Sequence, residues 1–143
     1  MMPIRVLLAD DHPVVRRGLR ILLEEGGFLV AGEAADGQDA VRLAAEVEFD
    51  VAILDLSMPH LSGLDVARAL QNDAAPVRIV LLTRHDEPHY VAEALRAGVH
   101  GYVLKNSAAA DLVEAVLQVA RGGTYLSPRL PRAAVDAFFS GRT

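Results

Sequence analysis

Three carboxylates, one hydroxyl and one ammonium mark the points where apolar runs stop in this 143-residue chain. Asp10 and Asp11 follow IRVLLA, Asp55 follows VAIL, Thr83 follows VRIVLL and Lys105 follows GYVL. Lys105 is also the single lysine; the other thirteen basic residues are arginines. Carboxylates that share one pocket cannot all ionise comfortably without a counter-charge. A divalent cation supplies one, and a site with few dedicated protein ligands suits Mg²⁺, which keeps several of its waters. A carboxylate nucleophile beside a metal, an ammonium and a hydroxyl is suited to attack on a phosphoryl group, because the cations neutralise its equatorial oxygens and the hydroxyl donates to one of them. The product of that attack is an aspartyl phosphate. Arginine fits the cationic role poorly, since its guanidinium is wide, planar and forked, whereas lysine offers a compact charge on a flexible stem.

Taken singly, each residue has a plainer role. Asp10-Asp11 before His12-Pro13 suits a helix cap. Asp55 suits the opening of the loop LSMPHLSG, Thr83 an ordinary strand end, and Lys105 a solvated surface charge. Their joint occurrence at successive strand ends is what points to a site.

The elements that must position these residues are legible as an alternation. Apolar runs at 4–9, 28–35, 51–54, 77–82 and 101–104 are bounded by polar residues, as in parallel strands buried on both faces. Helical patterns lie between and after them at 13–25, 37–47, 63–72, 87–97 and 108–121, with Pro at the first start and Gly26-Gly27, Gly98 and Gly122-Gly123 at stops. Five β-then-α units predict a doubly wound α/β sheet, in which ligands bind beyond the carboxyl ends of the strands. Residues 124–131 (TYLSPRLP) read as a turn-rich connector, and 131–139 as the start of a further short helix. The helix over 108–121 carries a wide apolar arc, which fits either deep burial or a self-association surface.

Composition narrows the function further. Hydrophobic residues make up 52% and charged residues 23%, which describes one globular domain and no disordered chain. A net charge of −5 argues against a chain that coats nucleic acid. There is no cysteine, hence no disulfide framework, thiolate nucleophile or cysteine-ligated zinc. No apolar run is long enough to span a bilayer and the N-terminus lacks a signal layout, so a cytoplasmic chain without a membrane partner is expected.

The ordered set Asp10-Asp11, Asp55 within LDLSMPHLSGLD, Thr83 within LLTRHD and Lys105 within GYVLKN resembles the receiver domain of bacterial two-component response regulators. The stretch LRAGVHGYVLKNSAAADLVEAVLQVARGGTYLSP is similar to receivers of the NarL/FixJ (LuxR-type) group. The resemblance covers residues 4 to 123 and implies a flavodoxin-like (βα)5 fold with strand order 2-1-3-4-5. It implies a receiver at 1–123, followed at 124–143 by a connector and the start of a linker helix. It further implies that Asp55 accepts a phosphoryl group from a sensor histidine kinase with Mg²⁺ or Mn²⁺. Asp11, Asp55 and the carbonyl of Ser57 then match the direct metal ligands, and Asp10 the residue that holds the ion through water. Lys105 matches the phosphoryl-stabilising lysine, and Thr83 and Tyr102 the switch pair, whose aromatic ring turns inward. Ser57 and His85 match positions that tune the lifetime of the phosphorylated state. Partners implied are the kinase, a second copy on phosphorylation, and DNA only through an output domain that this chain does not contain.

The sequence departs from the family pattern in two places. Asn106 stands where many receivers have proline, and His60 where glycine is common. Other readings are a stand-alone receiver, a pseudo-receiver that is never phosphorylated, and a Mg²⁺-dependent phosphatase with an aspartyl-phosphate intermediate. Such phosphatases typically place a second acid two residues after the nucleophile, where this chain has Ser57.

Overall fold

Strands whose side chains are apolar on both faces can lie only in the middle of a sandwich of helices. That is where the computed structural model places them; it describes residues 2–71 and 77–140. Strands β1 (Arg5–Ala9), β2 (Leu29–Ala34), β3 (Val51–Asp55), β4 (Arg78–Thr83) and β5 (Gly101–Leu104) pair in parallel in the order β2-β1-β3-β4-β5. The expected flavodoxin-like order therefore stands. A sixth strand, β6 (Tyr125–Leu126), adds to β5 in parallel, inside the stretch expected to be only a connector. Two residues are too few for any hydrophobic period to show.

Helices α1 (Pro13–Glu25), α2 (Gly37–Glu46), α3 (Gly63–Leu70), α4 (Pro88–Arg96) and α5 (Ala108–Ala120) follow strands β1 to β5 in turn. The helix expected over 63–72 ends at Leu70, and residue 72 lies outside the described residues. Alternate strand residues feed two cores. Val6, Leu8, Ile53, Leu82 and Val103 pack with α1 and α5, and Leu7, Leu54, Leu81 and Tyr102 pack with α2, α3 and α4. The wide apolar arc of α5 is used within the chain: Leu112, Ala115, Val116 and Val119 are buried, and Val113 and Leu117 pack against the same core.

The last helix, α6 (Arg132–Ser140), does not lead away from the domain. It lies on α4, with Ala134 and Phe138 fully buried in the same core as Val91 and Ala94. Among the described residues no helix is long and apolar enough to cross a membrane.

Candidate functional site

The register of the sheet brings the strand ends together. Ala9 pairs with Leu54, Asp55 with Leu82, and Thr83 with Leu104, so Asp10, Asp55, Thr83 and Lys105 emerge side by side at the carboxyl edge. Asp10, Asp55 and Thr83 are buried. Lys105 opens a single 3-10 turn (Lys105–Ser107) between β5 and α5, and no cis peptide bond occurs among the described residues. Its Nζ reaches back across the sheet to Asp55 Oδ2 at 2.8 Å and to Asp10 Oδ2 at 3.4 Å. Asp11, the fifth predicted residue, joins them: one ligand atom each of Asp10, Asp11, His12 and Asp55 lie within 4.8 Å of one another.

Backbone contacts hold the acids in place. Asp10 Oδ1 accepts from the His12 amide at 2.8 Å, and Arg16 of α1 grips the Asp10 carbonyl at 2.7 Å while pairing with Glu33 of β2. Asp55 Oδ1 accepts from the Ser57 amide at 3.1 Å. The loop that follows folds back tightly. Gly63 donates to the Leu56 carbonyl, and a Cβ at residue 63 would lie 2.5 Å from the Asp55 carbonyl oxygen. Its capping box, Ser62 with Asp65, starts α3 at that point. His60, in the same loop, adopts φ 70°, the left-handed region. That region favours glycine, a backbone demand that periodicity does not reveal.

Burial pushes the Asp55 carboxyl above its ordinary pKa; the Lys105 hydrogen bond opposes the shift and the neighbouring Asp10 charge adds to it. Asp10 Oδ2 and Asp11 Oδ1 are buried oxygens without a hydrogen-bond partner. They face Lys105 at 3.4 Å and His12 at 3.0 Å without a hydrogen bond to either, and buried acceptors in that condition suit a bound cation. The donor set, oxygens of three carboxylates with one histidine beside them, fits a hard divalent ion such as Mg²⁺. His12 was not among the sequence candidates. Its Nδ1 lies 3.0 Å from Asp11 Oδ1, and its one signal in the sequence was adjacency to the acid pair.

Residues 6–117 match the family described as the response regulator receiver domain. The chain belongs to that family. The receiver is 42% identical over 129 residues to the nitrate/nitrite response regulator protein NarP of Escherichia coli, covering 90% of this chain and 60% of that protein. Among solved structures it is similar to a LuxR-family two-component response regulator from Aurantimonas sp. SI85-9A1, with a TM-score of 0.85, 32% identity and 99% of each chain covered. It is also similar to the signal receiver domain of the putative response regulator NarL from Mycobacterium tuberculosis, with a TM-score of 0.78 and 41% identity, covering 85% of this chain and 99% of that one. The receiver spans about three fifths of the length of the curated relative it matches.

The two residues expected to form a switch are joined through His85. Thr83 Oγ1 accepts from the His85 amide at 3.0 Å, and the Tyr102 hydroxyl donates to the His85 carbonyl at 2.7 Å. The Tyr102 ring is fully buried, so this structure holds the inward position; burial also raises its phenol pKa and keeps it neutral. Tyr102 does not lie on an edge strand, because β6 covers the outer side of β5. The His85 ring stacks on Tyr90 of α4 with centroids 4.2 Å apart, and its Nδ1 lies 3.6 Å from Glu87. Its main chain links Thr83 to Tyr102, and its ring meets α4.

Proposed function

We propose that this receiver is a phosphoacceptor switch. In the cytoplasm, Asp55 takes a phosphoryl group from a phosphohistidine of a sensor histidine kinase, and the new charge resets the α4–β5 surface. The reading rests on one observation: the Lys105 ammonium sits 2.8 Å from Asp55 in an acidic pocket where ligand atoms of Asp10, Asp11 and Asp55 crowd within 4.8 Å of one another.

In the transfer, an Asp55 oxygen attacks phosphorus, the phosphorus–nitrogen bond of the donor breaks, and the donor imidazole leaves. Asp11, Asp55 and the Ser57 carbonyl would hold Mg²⁺ or Mn²⁺ directly, with Asp10 acting through water. The bound ion would supply neutralising charge to the phosphoryl oxygens. Lys105 stays within reach of the oxygens on the modified Asp55 and replaces its ion pair with a charge-assisted hydrogen bond to phosphate. Thr83 gives up its contact with the His85 amide and donates to the phosphate. Tyr102 loses or retunes its His85 partner as that loop moves, so the change reaches α4. Ser57 and His85 flank the path to the acyl phosphate and set its lifetime.

Similarity to a protein described as the probable transcriptional regulatory protein NarL of Mycobacterium tuberculosis, 41% identical over 128 residues, supports transcription regulation as the output. That output would act through a DNA-binding domain not among these 143 residues and a homodimer formed on phosphorylation. A phosphatase reading is weaker, because the residue two beyond Asp55 is Ser57 rather than an acid.

The test is incubation with Mg²⁺ and acetyl phosphate followed by intact-mass measurement. A stable single adduct, absent in Asp55→Asn and strongly reduced in Lys105→Arg, supports the switch. Multiple-turnover phosphate release would support the phosphatase. No adduct and no Mg²⁺ binding would leave a pseudo-receiver.

A further inference from the structure

The end of β5 is held from its outer side by a serine that belongs to neither neighbouring strand. In a parallel ladder, one residue donates its N–H to one partner residue and its carbonyl accepts from the residue two further on. Ser127 begins that pattern: its N–H donates to the Tyr102 carbonyl at 2.9 Å. Its own carbonyl turns away and accepts from Leu130 at 3.0 Å, opening the turn that leads to α6. The Leu104 N–H, which that carbonyl would have served, donates instead to the Ser127 hydroxyl at 2.9 Å. The hydroxyl passes its own hydrogen to Asp111 Oδ2 of α5 at 3.2 Å. Ser127 and Asp111 are buried, and the Tyr125 phenol beside Asp111 has its pKa raised by burial and by that carboxylate.

Leu104 is the residue before Lys105, and Tyr102 is the switch tyrosine. We propose that Ser127 and Asp111 are positioning residues for Lys105: their clasp fixes the end of β5 so that the ammonium meets Asp55. The clasp also makes residues 124–127 a working part of the receiver rather than a connector. Removing the hydroxyl leaves the Leu104 N–H unpaired in the interior and takes one hydrogen bond from the Asp111 carboxylate, which keeps Tyr125 beside it, so the strand end must shift or admit water. The proposal rests on the phosphoacceptor reading of Asp55 for its functional consequence, but not for its geometry.

The single lysine makes the geometry directly observable. Protein grown with side-chain ¹³C,¹⁵N-lysine gives one ammonium signal, that of Lys105. In Ser127→Ala the signal should move toward the position of a free lysine, and phosphorylation by acetyl phosphate should slow by about tenfold or more, the scale expected when a catalytic group is displaced. Mg²⁺ affinity should not fall, because the acids are untouched and the displaced ammonium competes less for Asp55 and Asp10. Ser127→Thr should restore both the signal and the rate. Should Ser127→Ala not fold, Asp111→Ala, which removes only the acceptor, is read in the same way, with Asp111→Asn as its conservative partner. A Leu23→Ala variant, destabilised within the α1–α5 core, should leave the lysine signal in place. A folded Ser127→Ala or Asp111→Ala with wild-type lysine signal and rate would overturn the proposal. If wild-type protein accepts no phosphoryl group, the phosphoacceptor reading falls, and the lysine signal alone still decides the clasp.

Discussion

Asp55 occupies a place that disfavours its own charge. Burial raises its pKa and the Lys105 bond only partly offsets that. A raised carboxyl pKa means the folded state prefers the protonated form. The resulting stability is present in acid and is lost as pH rises from the ordinary carboxylate range through the raised value. Asp55→Asn should therefore be more stable than wild type near neutral pH without Mg²⁺, with the gap closing in acid. Added Mg²⁺ should raise only the wild-type melting temperature, since a ligand of the native state stabilises by mass action. Melting curves across pH, with and without Mg²⁺, check both. His60 is a second residue under local strain. Its left-handed backbone costs an L-residue roughly 1–2 kcal/mol, against about 0.5–1 kcal/mol of extra chain entropy for glycine. His60→Gly should stabilise by about 0.5–1 kcal/mol in urea unfolding.

At the scale of elements, the loop after β3 is set by contact rather than by propensity. Two glycines admit backbone where a side chain cannot go: Gly63 against the Asp55 carbonyl, and Gly37, where a Cβ would lie 2.1 Å from the Leu61 carbonyl oxygen. Both sit at the first residue of a helix and lock the loop after β3 between α2 and α3. Gly63→Ala should destabilise by about 1–3 kcal/mol through overpacking and should slow phosphorylation, because the displaced atom belongs to Asp55 itself. Gly18, exposed in mid-α1 with nothing within 4 Å of its missing Cβ, gives the opposite sign. Gly18→Ala should stabilise by about 1 kcal/mol from helix propensity alone. Denaturant melts of the two variants separate the contact effect from the propensity effect.

For the whole molecule, α6 packs back onto α4 and the shared core. Its Phe138 is fully buried against the α4 side of the sheet, which also receives Tyr102 and carries the His85–Tyr90 stack. Phe138 is the largest of the side chains that hold α6 there, with Ala134 and Val135 beside it. Phe138→Ala, whose cost in a core is about 3–5 kcal/mol, should undock α6 rather than unfold the sheet. Hydrogen exchange should lose protection over 132–140 and keep it in β1, β3, β4 and β5.

The sequence by itself determined the layer order, the five main strands and the residues that close them. These follow from local apolar runs and from polar residues placed where those runs stop, as with Asp55 after VAIL and Lys105 after GYVL. It also marked His60 as a departure, without its reason. Tertiary structure alone decided the rest: the left-handed φ of His60, the approach of His12 to Asp11, the inward ring of Tyr102, the docking of α6, and Ser127 between β5 and Asp111. Ser127 and Asp111 are sixteen positions apart, Ser127 and Leu104 twenty-three, and Lys105 and Asp55 fifty. No local period encodes such pairings, because they form only when the sheet's register brings distant strand ends to one edge.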